Sequence, residues 1–532
     1  MNCRSTRIPY KQTKAFSSLV LDYLDRHENL RNFYSNEASI TGVKKSIENR
    51  KGKTDRVALV AALENQYKSI EHCTLVKENI QRLSNEDCYT VTTAHQNNIF
   101  TGPLYFIYKI LHVIKLAEHF QQLIPTASFV PVFYLGSEDA DLQELNHIYV
   151  NGKELKWNTN QLGAVGRMKA DEDLIRVKEE LKILLKEMPT AISVEKMLDK
   201  VIKKGSTIAE ITFSLVNELF GKYGLVVIQP DQPGLKKLMI PLFKKELLGS
   251  NTKQLVSETS SLLEKKAYSV QANPREINLF YLQEGSRERI EKIQDGWQVV
   301  NSNIKFSEKA LMDELANHPE RFSPNVILRP LYQSTILPDI AFVGGGGELA
   351  YWFQLKKVFE ENQVPYPVLL LRNSFLLLTK EQLHHVAKLQ LDISKLFLSE
   401  QELMVEWLTQ HGEKVFSSSG EVDAMINLYQ ELGVKVGKID PTLQVHTQAL
   451  AEKAINKLKE LDKKVIRAQK RKYPEQQLYI SILKQQLFPF GGLQERTENV
   501  FYYLANWGIE FIDELLAHSM TMEQEFVILE EV

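Results

Sequence analysis

The sequence predicts an α/β protein with a mostly parallel sheet, followed by a helical C-terminal region. Five short β-rich runs stand between longer helical stretches, the rhythm of strand–helix alternation. Each run is nearly continuous in apolar residues, as strands covered on both faces are. Beyond about residue 390 the β signal fades and helices take over.

Along the chain, the first segment has early basic residues, but Asp22 breaks its only apolar stretch and no small-residue cleavage site follows, so no signal peptide is expected. The first run is YTVTTA (89–94). Residues 88–108 lack Asp, Glu, Lys and Arg, yet His95, Gln96, Asn97, Asn98 and Thr101 interrupt them too often for a membrane span. The second run is FVPVFYL (129–135). A charged helical insertion follows over roughly 151–220, with Glu172, Lys178, Glu179, Glu180 and Lys182 expected on exposed faces. LVVIQP (225–230) resumes the core, and a second insertion over roughly 250–325 carries the strand-like INLFYL (277–282) and GWQVV (296–300). IAFVGG (340–345) and PVLLLR (367–372) complete the series.

The division expected is a first part of the core over 1–150, an inserted helical subdomain over 151–220, core continuation over 221–249, a second insertion over 250–325, a second part of the core with the Gly-rich loop over 326–390, and a helical region with a coiled coil over 391–532. In the last of these, Leu450, Ala454, Leu458, Leu461, Val465 and Ala468 recur at spacings of 4, 4, 3, 4 and 3, a heptad-like seam that Pro474 ends. From spacing alone an intramolecular hairpin and a dimer fit it equally.

Of 532 residues, 43% are hydrophobic and 25% charged, the composition of a globular protein, and 65 Lys and Arg against 67 Asp and Glu leave a formal charge of −2. That balance excludes a dominant electrostatic partner such as bulk nucleic acid. Cys3, Cys73 and Cys88 form no close pair, so neither a disulfide framework nor a Cys-based metal site is expected; no metal is assigned, and a reducing cytoplasm is the expected compartment.

Ligands of open α/β sheets bind outside the carboxyl ends of the strands, so the chemistry is sought in the loops after the runs. After the first come His95, Gln96, Asn97, Asn98, Thr101 and Gly102, then a helix with Tyr105 and Lys109. A helix cap would explain Thr101, but consecutive hydrogen-bonding side chains at a strand end exceed what a cap requires, which points to a polar cradle. After the second come Glu138, Asp139 and Asp141, then Glu144, Asn146 and His147. Three carboxylates within four residues repel one another unless they are solvated, bind a cation or face a helix N-terminus; helix-start acids would explain them, and the competing roles are binding an amine or a metal–nucleotide, or acting as general base toward an attacking amine. After the fourth, Gly344, Gly345, Gly346, Gly347 and Glu348 let the backbone approach a ligand and aim N–H groups at an anion, without a Walker or dinucleotide fingerprint. Arg329 adds a cation able to grip carboxylate or phosphate, with a buried ion pair as the competing role. Trp352 and Tyr105 read as core by their apolar surroundings.

In order, these segments resemble the bacillithiol biosynthesis cysteine-adding enzyme family over nearly the whole chain. The resemblance is carried by Ile8-Pro9-Tyr10, Phe100-Thr101-Gly102-Pro103-Leu104-Tyr105 with Lys109, Ser137-Glu138-Asp139 with Asp141, Glu144 and Asn146-His147, Arg329-Pro330, Gly347-Glu348-Leu349-Ala350-Tyr351-Trp352, and Leu487-Phe488-Pro489 with Gln494-Glu495-Arg496. Three departures stand out: Ala94-His95-Gln96 replaces the family's Gly-Gln-Gln, Ala140 replaces the histidine of its Glu-Asp-His-Asp, and Gly345-Gly346-Gly347-Glu348 replaces its Gly-Pro-Gly-Glu, which should loosen that loop. The resemblance implies a Rossmann-type core with two connecting-peptide insertions and a coiled coil that pairs subunits into a homodimer. It implies a ligase that joins L-cysteine to the amine of glucosaminyl-malate, the last step of bacillithiol synthesis. Glu138, Asp139, Asp141 and His95 are then the catalytic candidates. Gln96, Asn97, Thr101, Gly102, Lys109, Asn146, His147, Arg329, Gly344, Gly345, Gly346, Gly347, Glu348 and Trp352 are the candidates for holding substrate or nucleotide. Amide formation from a carboxylate needs activation, so an adenine nucleotide (ATP or ADP) is the cofactor expected, with neither nucleic acid nor membrane as partner. The alternatives are a nucleotidyl- or aminoacyl-transfer enzyme acting on another substrate and a non-catalytic nucleotide-binding scaffold.

Overall fold

The computed structural model describes residues 3–68, 70, 73–411 and 418–532. The chain divides into two units, residues 1–377 with 492–532, and residues 378–491.

In the first unit, β1 (Cys88–Gln96), β2 (Ser128–Gly136), β3 (Val226–Ile228), β4 (Asp339–Gly344) and β5 (Val368–Leu371) form one sheet in the order β5-β4-β1-β2-β3. Every pairing is parallel. The five apolar runs thus supply the five strands, and helices cover both faces: β4 and β5 are buried from end to end. The chain runs outward from β1 through β2 to β3, then crosses back to β4 on the other side of β1. That reversal opens a crevice at the carboxyl ends of β1 and β4, the switch point of a Rossmann-like sheet. At the opposite end, Arg50 anchors the start of β4, donating to Asp339 Oδ1 at 2.8 Å and to the Ser334 carbonyl at 2.6 Å.

Helix α1 (Tyr105–Leu123) follows β1, α2 (Arg329–Ile336) precedes β4, and α3 (Gly346–Phe353) follows it. Between β2 and β3 stand the hairpin His147–Val150/Lys153–Lys156 and the helices Glu172–Leu185, Ala191–Val201 and Ile208–Phe220. Lys178 differs from expectation, since it turns inward: its stem is buried and its ammonium reaches Asp199 at 2.8 Å. Between β3 and β4 lies a five-stranded antiparallel sheet, Lys305–Phe306, Gly296–Val299, Ser286–Ile293, Leu279–Gln283 and Phe322–Pro324 in that order. The chain ends meet in another sheet, where Cys3–Pro9 pairs antiparallel with Glu525–Glu531.

The second unit is helical. Its longest elements are α4 (Ser419–Gly437) and α5 (Pro441–Lys470), joined as a hairpin in which Ser418 Oγ donates to Asp462 Oδ2 at 2.8 Å. Among the described residues, no helix is long and apolar enough to cross a membrane.

Candidate active site

A cavity of about 650 Å³ opens at the carboxyl ends of the parallel strands, and each of the five contributes a residue at or just beyond its end: Gln96, Gly136, Pro230, Gly345 and Arg372.

From β1, His95 and Gln96 line it. The His95 ring lies edge-on to Tyr105 at 5.2 Å and Phe106 at 5.5 Å, and its Nε2 is buried without a hydrogen-bond partner. Burial, with the Lys109 and Arg372 charges nearby, pushes the imidazole well below its ordinary value, so His95 is neutral at pH 7. Gln96 Nε2 donates to Asp139 Oδ2 at 2.7 Å.

The three carboxylates after β2 go to three environments. Glu138 is buried in an ion pair with Lys236. Asp139 stays half-buried on the cavity wall, and its Oδ1 accepts from the Asp141 N–H at 3.0 Å. Asp141 is exposed and caps the short helix Leu142–Leu145 away from the cavity, accepting from Glu144 N–H at 3.4 Å.

On the side of β4, Lys109 is buried and bridges two elements: it pairs with Glu348 and donates to the Ala94 carbonyl at 3.0 Å. Glu348 Oε2 also accepts from Gly345 N–H at 2.8 Å, which leaves the first-turn amides of α3 at Gly346 and Gly347 on the cavity side without an intrahelical acceptor. No Cβ fits at Gly344 without moving Phe342, whose ring would lie 2.8 Å away. Arg329 is aimed by α2 and α3 together, donating to Gln333 Oε1 at 3.0 Å and to the Tyr351 hydroxyl at 2.9 Å, with Tyr134 beneath it at 5.5 Å.

Of the candidates drawn from the sequence, the cavity thus gathers His95, Gln96, Lys109, Glu138, Asp139, Arg329, Gly345, Gly346, Gly347 and Glu348. Gly344 ends β4 just behind the wall. The others lie elsewhere. Asn97 is buried against Thr212 at 3.3 Å, Thr101 and Gly102 form a left-handed turn, and Asn146 and His147 contact each other at 3.3 Å. Trp352 is fully buried, stacked on Phe342 at 4.5 Å, because α3 turns that face to the core.

Four arginines complete the wall beyond that set: Arg275, Arg287, Arg372 and Arg496. Arg372 is tied to Glu495 at 2.7 Å and needs no ligand to balance it. Among the described residues, Arg275, Arg287, Arg329 and Arg496 make no carboxylate ion pair, so the cavity holds surplus positive charge. Arg372 directly follows an apolar strand run and was visible as a strand-end residue; Arg275 and Arg287 carry no such signal, because they reach the cavity from the antiparallel insertion.

A polar, cation-rich crevice at the switch point of a parallel sheet makes this an α/β protein of the Rossmann-like class, with its candidate site where such sheets place their ligands. The chain belongs to the bacillithiol biosynthesis BshC family: residues 1–373 match its N-terminal Rossmann-like domain and residues 375–531 its C-terminal coiled-coil domain. A protein of Flavobacterium johnsoniae named "Putative cysteine ligase BshC" is 37% identical over 98% of this chain and 99% of its own. One of the same name from Flavobacterium psychrophilum is 38% identical over 96% of each. Among solved structures, a "putative arginyl t-RNA synthetase" of Campylobacter jejuni covers 85% of this chain and 100% of its own at 11% identity and a TM-score of 0.21, a likeness that carries no argument.

Proposed function

We propose that this chain is the cysteine ligase of bacillithiol biosynthesis, joining the carboxyl group of L-cysteine to the amine of glucosaminyl-malate in the last step. The observation that carries this reading is the cavity itself, which among the described residues sets one carboxylate held in no ion pair, Asp139, against the surplus arginines Arg329 and Arg496. A carboxylate suits a substrate ammonium, and the arginines suit substrate carboxylates. Asp139, oriented by Gln96, holds the cysteine ammonium or accepts the proton that the attacking amine loses. Neutral His95 offers a hydrogen bond and no charge.

Amide formation removes an oxygen from the cysteine carboxylate, and an adenine nucleotide (ATP or ADP), when bound, would supply the phosphoryl or adenylyl group that activates this carboxylate and carries the oxygen away. The residues present fit such a group. The first-turn amides at Gly346 and Gly347, with Arg329 and Arg496, are the donors that would hold its phosphates. We also propose a homodimer through the C-terminal helices and a cytoplasmic setting, in which the three free cysteines stay reduced.

The test is genetic and chemical. With the gene deleted and cellular thiols alkylated, mass spectrometry is expected to show loss of bacillithiol and accumulation of glucosaminyl-malate, restored by wild type and not by Asp139→Asn. Unchanged bacillithiol would overturn the reading.

A further inference from the structure

We infer that Lys236 is a positioning residue of this site: its ammonium, enclosed between the Glu138 carboxylate and the Phe322 carbonyl, locks the acidic loop after β2 to the antiparallel insertion and holds Glu138 as a charged anchor beside Asp139.

Lys236 ends the four-residue helix Pro233–Lys236, in a stretch without any recognisable motif, and is 0% exposed. A lysine that far from water requires partners for its three donor hydrogens. It has Glu138 Oε1 and the Phe322 carbonyl at 2.6 Å, with the Tyr332 ring 5.7 Å away. Phe322 begins the strand whose next residues hold Arg287: Ser323 Oγ and the Pro324 carbonyl accept from its guanidinium, each at 3.1 Å. One ammonium therefore ties together two walls of the cavity.

The other side of the acidic loop is held by backbone. Val165 N–H donates to the Asp139 carbonyl at 2.7 Å, and Gly166 N–H to the Ser137 carbonyl at 3.0 Å. Gly166 is required there, since a Cβ would stand 2.3 Å from the Ser137 oxygen. With Glu138 drawn inward to Lys236 and the backbone clamped from outside, Asp139 is directed to the cavity, where Gln96 meets it. The remaining groups facing Glu138 are the Tyr134 and Tyr332 hydroxyls, Arg287, and Asp231, which Arg167 neutralises with two contacts of 2.7 Å. Burial pushes the Glu138 carboxyl up, and Lys236 is the largest opposing influence. Without Lys236 the buried carboxyl would take a proton and release its hold.

The kinetic arm of the test rests on the ligase reading; the unfolding arm does not. In the full-length protein, Lys236→Met is expected to lower kcat about a hundredfold with KM little changed, since misplacing a supporting group acts on the transition state. The acidic limb of the pH–rate profile should move up by about one unit or more. Lys236→Gln, which keeps a donor for Phe322 but no charge, should show the same shift with a smaller loss of kcat. In urea unfolding, the Lys236→Met deficit should grow as pH rises from about 5 to about 8, because a carboxyl with a raised folded-state pKa loses stability as pH rises through it. Glu138→Gln combined with Lys236→Met should abolish that pH dependence. An unchanged pH profile together with a pH-independent deficit would overturn the inference, as would an equal pH dependence in the double variant. If Lys236→Met does not fold, recovery of folding in the double variant supports the pair, and equal failure of both overturns it. A wild type without ligase activity refutes the proposed function and leaves the unfolding comparison to decide the pairing.

Discussion

Three acidic side chains within four residues have three fates, and the difference is burial and partner, not residue type. Glu138 is neutralised by Lys236, Asp141 caps a short helix in solvent, and Asp139 alone of the three presents to the cavity a carboxylate held in no ion pair. Asp139→Asn is therefore expected to lower kcat by on the order of a hundredfold, the scale of a lost general base, and by more than Asp141→Asn does; equal losses in steady-state kinetics would refute the distinction. The sequence announced this cluster but not its sorting, because the sorting depends on Lys236, ninety-eight positions downstream. A second residue-scale prediction concerns His112 on α1. Asn373 N–H donates to its Nδ1 at 3.2 Å and its Nε2 meets the Thr521 carbonyl at 2.7 Å, so the ring is held neutral, and burial brings it down to about 4. The unfolded chain, with its imidazole near 6.5, binds more protons between these values, so stability is complete above about pH 6.5 and falls toward pH 4, by up to about 3 kcal/mol. Urea midpoints measured across that range should show the loss in wild type and a smaller one in His112→Gln.

At the scale of elements, the Phe-Thr-Gly-Pro segment shows how a motif can be read in the right loop for the wrong task. Phe100, Thr101 and Gly102 all have positive φ, at 49°, 68° and 67°, and the turn they make faces the C-terminal segment instead of the cavity. Asn499 Nδ2 donates to the Phe100 carbonyl at 2.9 Å and the Gly102 carbonyl at 2.6 Å, while Leu104 N–H donates to the Glu498 carbonyl at 2.8 Å. The turn is a fastening between β1 and the end of the chain. Gly102→Ala would put a Cβ 2.7 Å from that of Asn98 at a φ that L-residues avoid, and should destabilise by about 2 kcal/mol. Asn499→Ala, which orphans two buried carbonyls, should cost a similar amount, about 2 kcal/mol; chemical unfolding of either variant with a wild-type midpoint would contradict this. The five parallel strands were legible because burial on both faces makes each an apolar run. Ser286–Ile293 (SRERIEKI) was not, because an antiparallel strand with a solvated face need not be apolar, and no local pattern pairs Cys3–Pro9 with Glu525–Glu531. For the same reason loops after strands pointed to half of the cavity wall, and the arginines from the insertion stayed hidden.

For the molecule as a whole, family matching places a coiled-coil domain over 375–531, yet residues 492–532 belong to the Rossmann-like unit, so only 378–491 stands as a separate helical unit. Its hairpin satisfies α4 and α5 on one side: Gly433 and Gly437 allow Gln444 to approach, with the Gln444 Cγ 3.8 Å from where a Gly433 Cβ would lie. The seam is another matter. Leu450 and Leu461 remain 41% and 45% exposed, and Leu428, Leu432 and Leu443 are also exposed on the same hairpin, so pairing α4 with α5 does not exhaust its apolar surface. Heptad leucines left in water are what a second helix covers, each contributing about 1 kcal/mol or more when buried. The hairpin forms within one chain, and the residual seam is the surface through which the proposed dimer would pair. Leu450→Asp with Leu461→Asp should convert a dimer to a monomer in sedimentation velocity while leaving the thermal transition of the Rossmann-like unit in place, since neither residue belongs to that unit. A wild type that sediments as a monomer at about 10 μM would assign the seam to a different occupant, for a standard dimer interface binds more tightly than that.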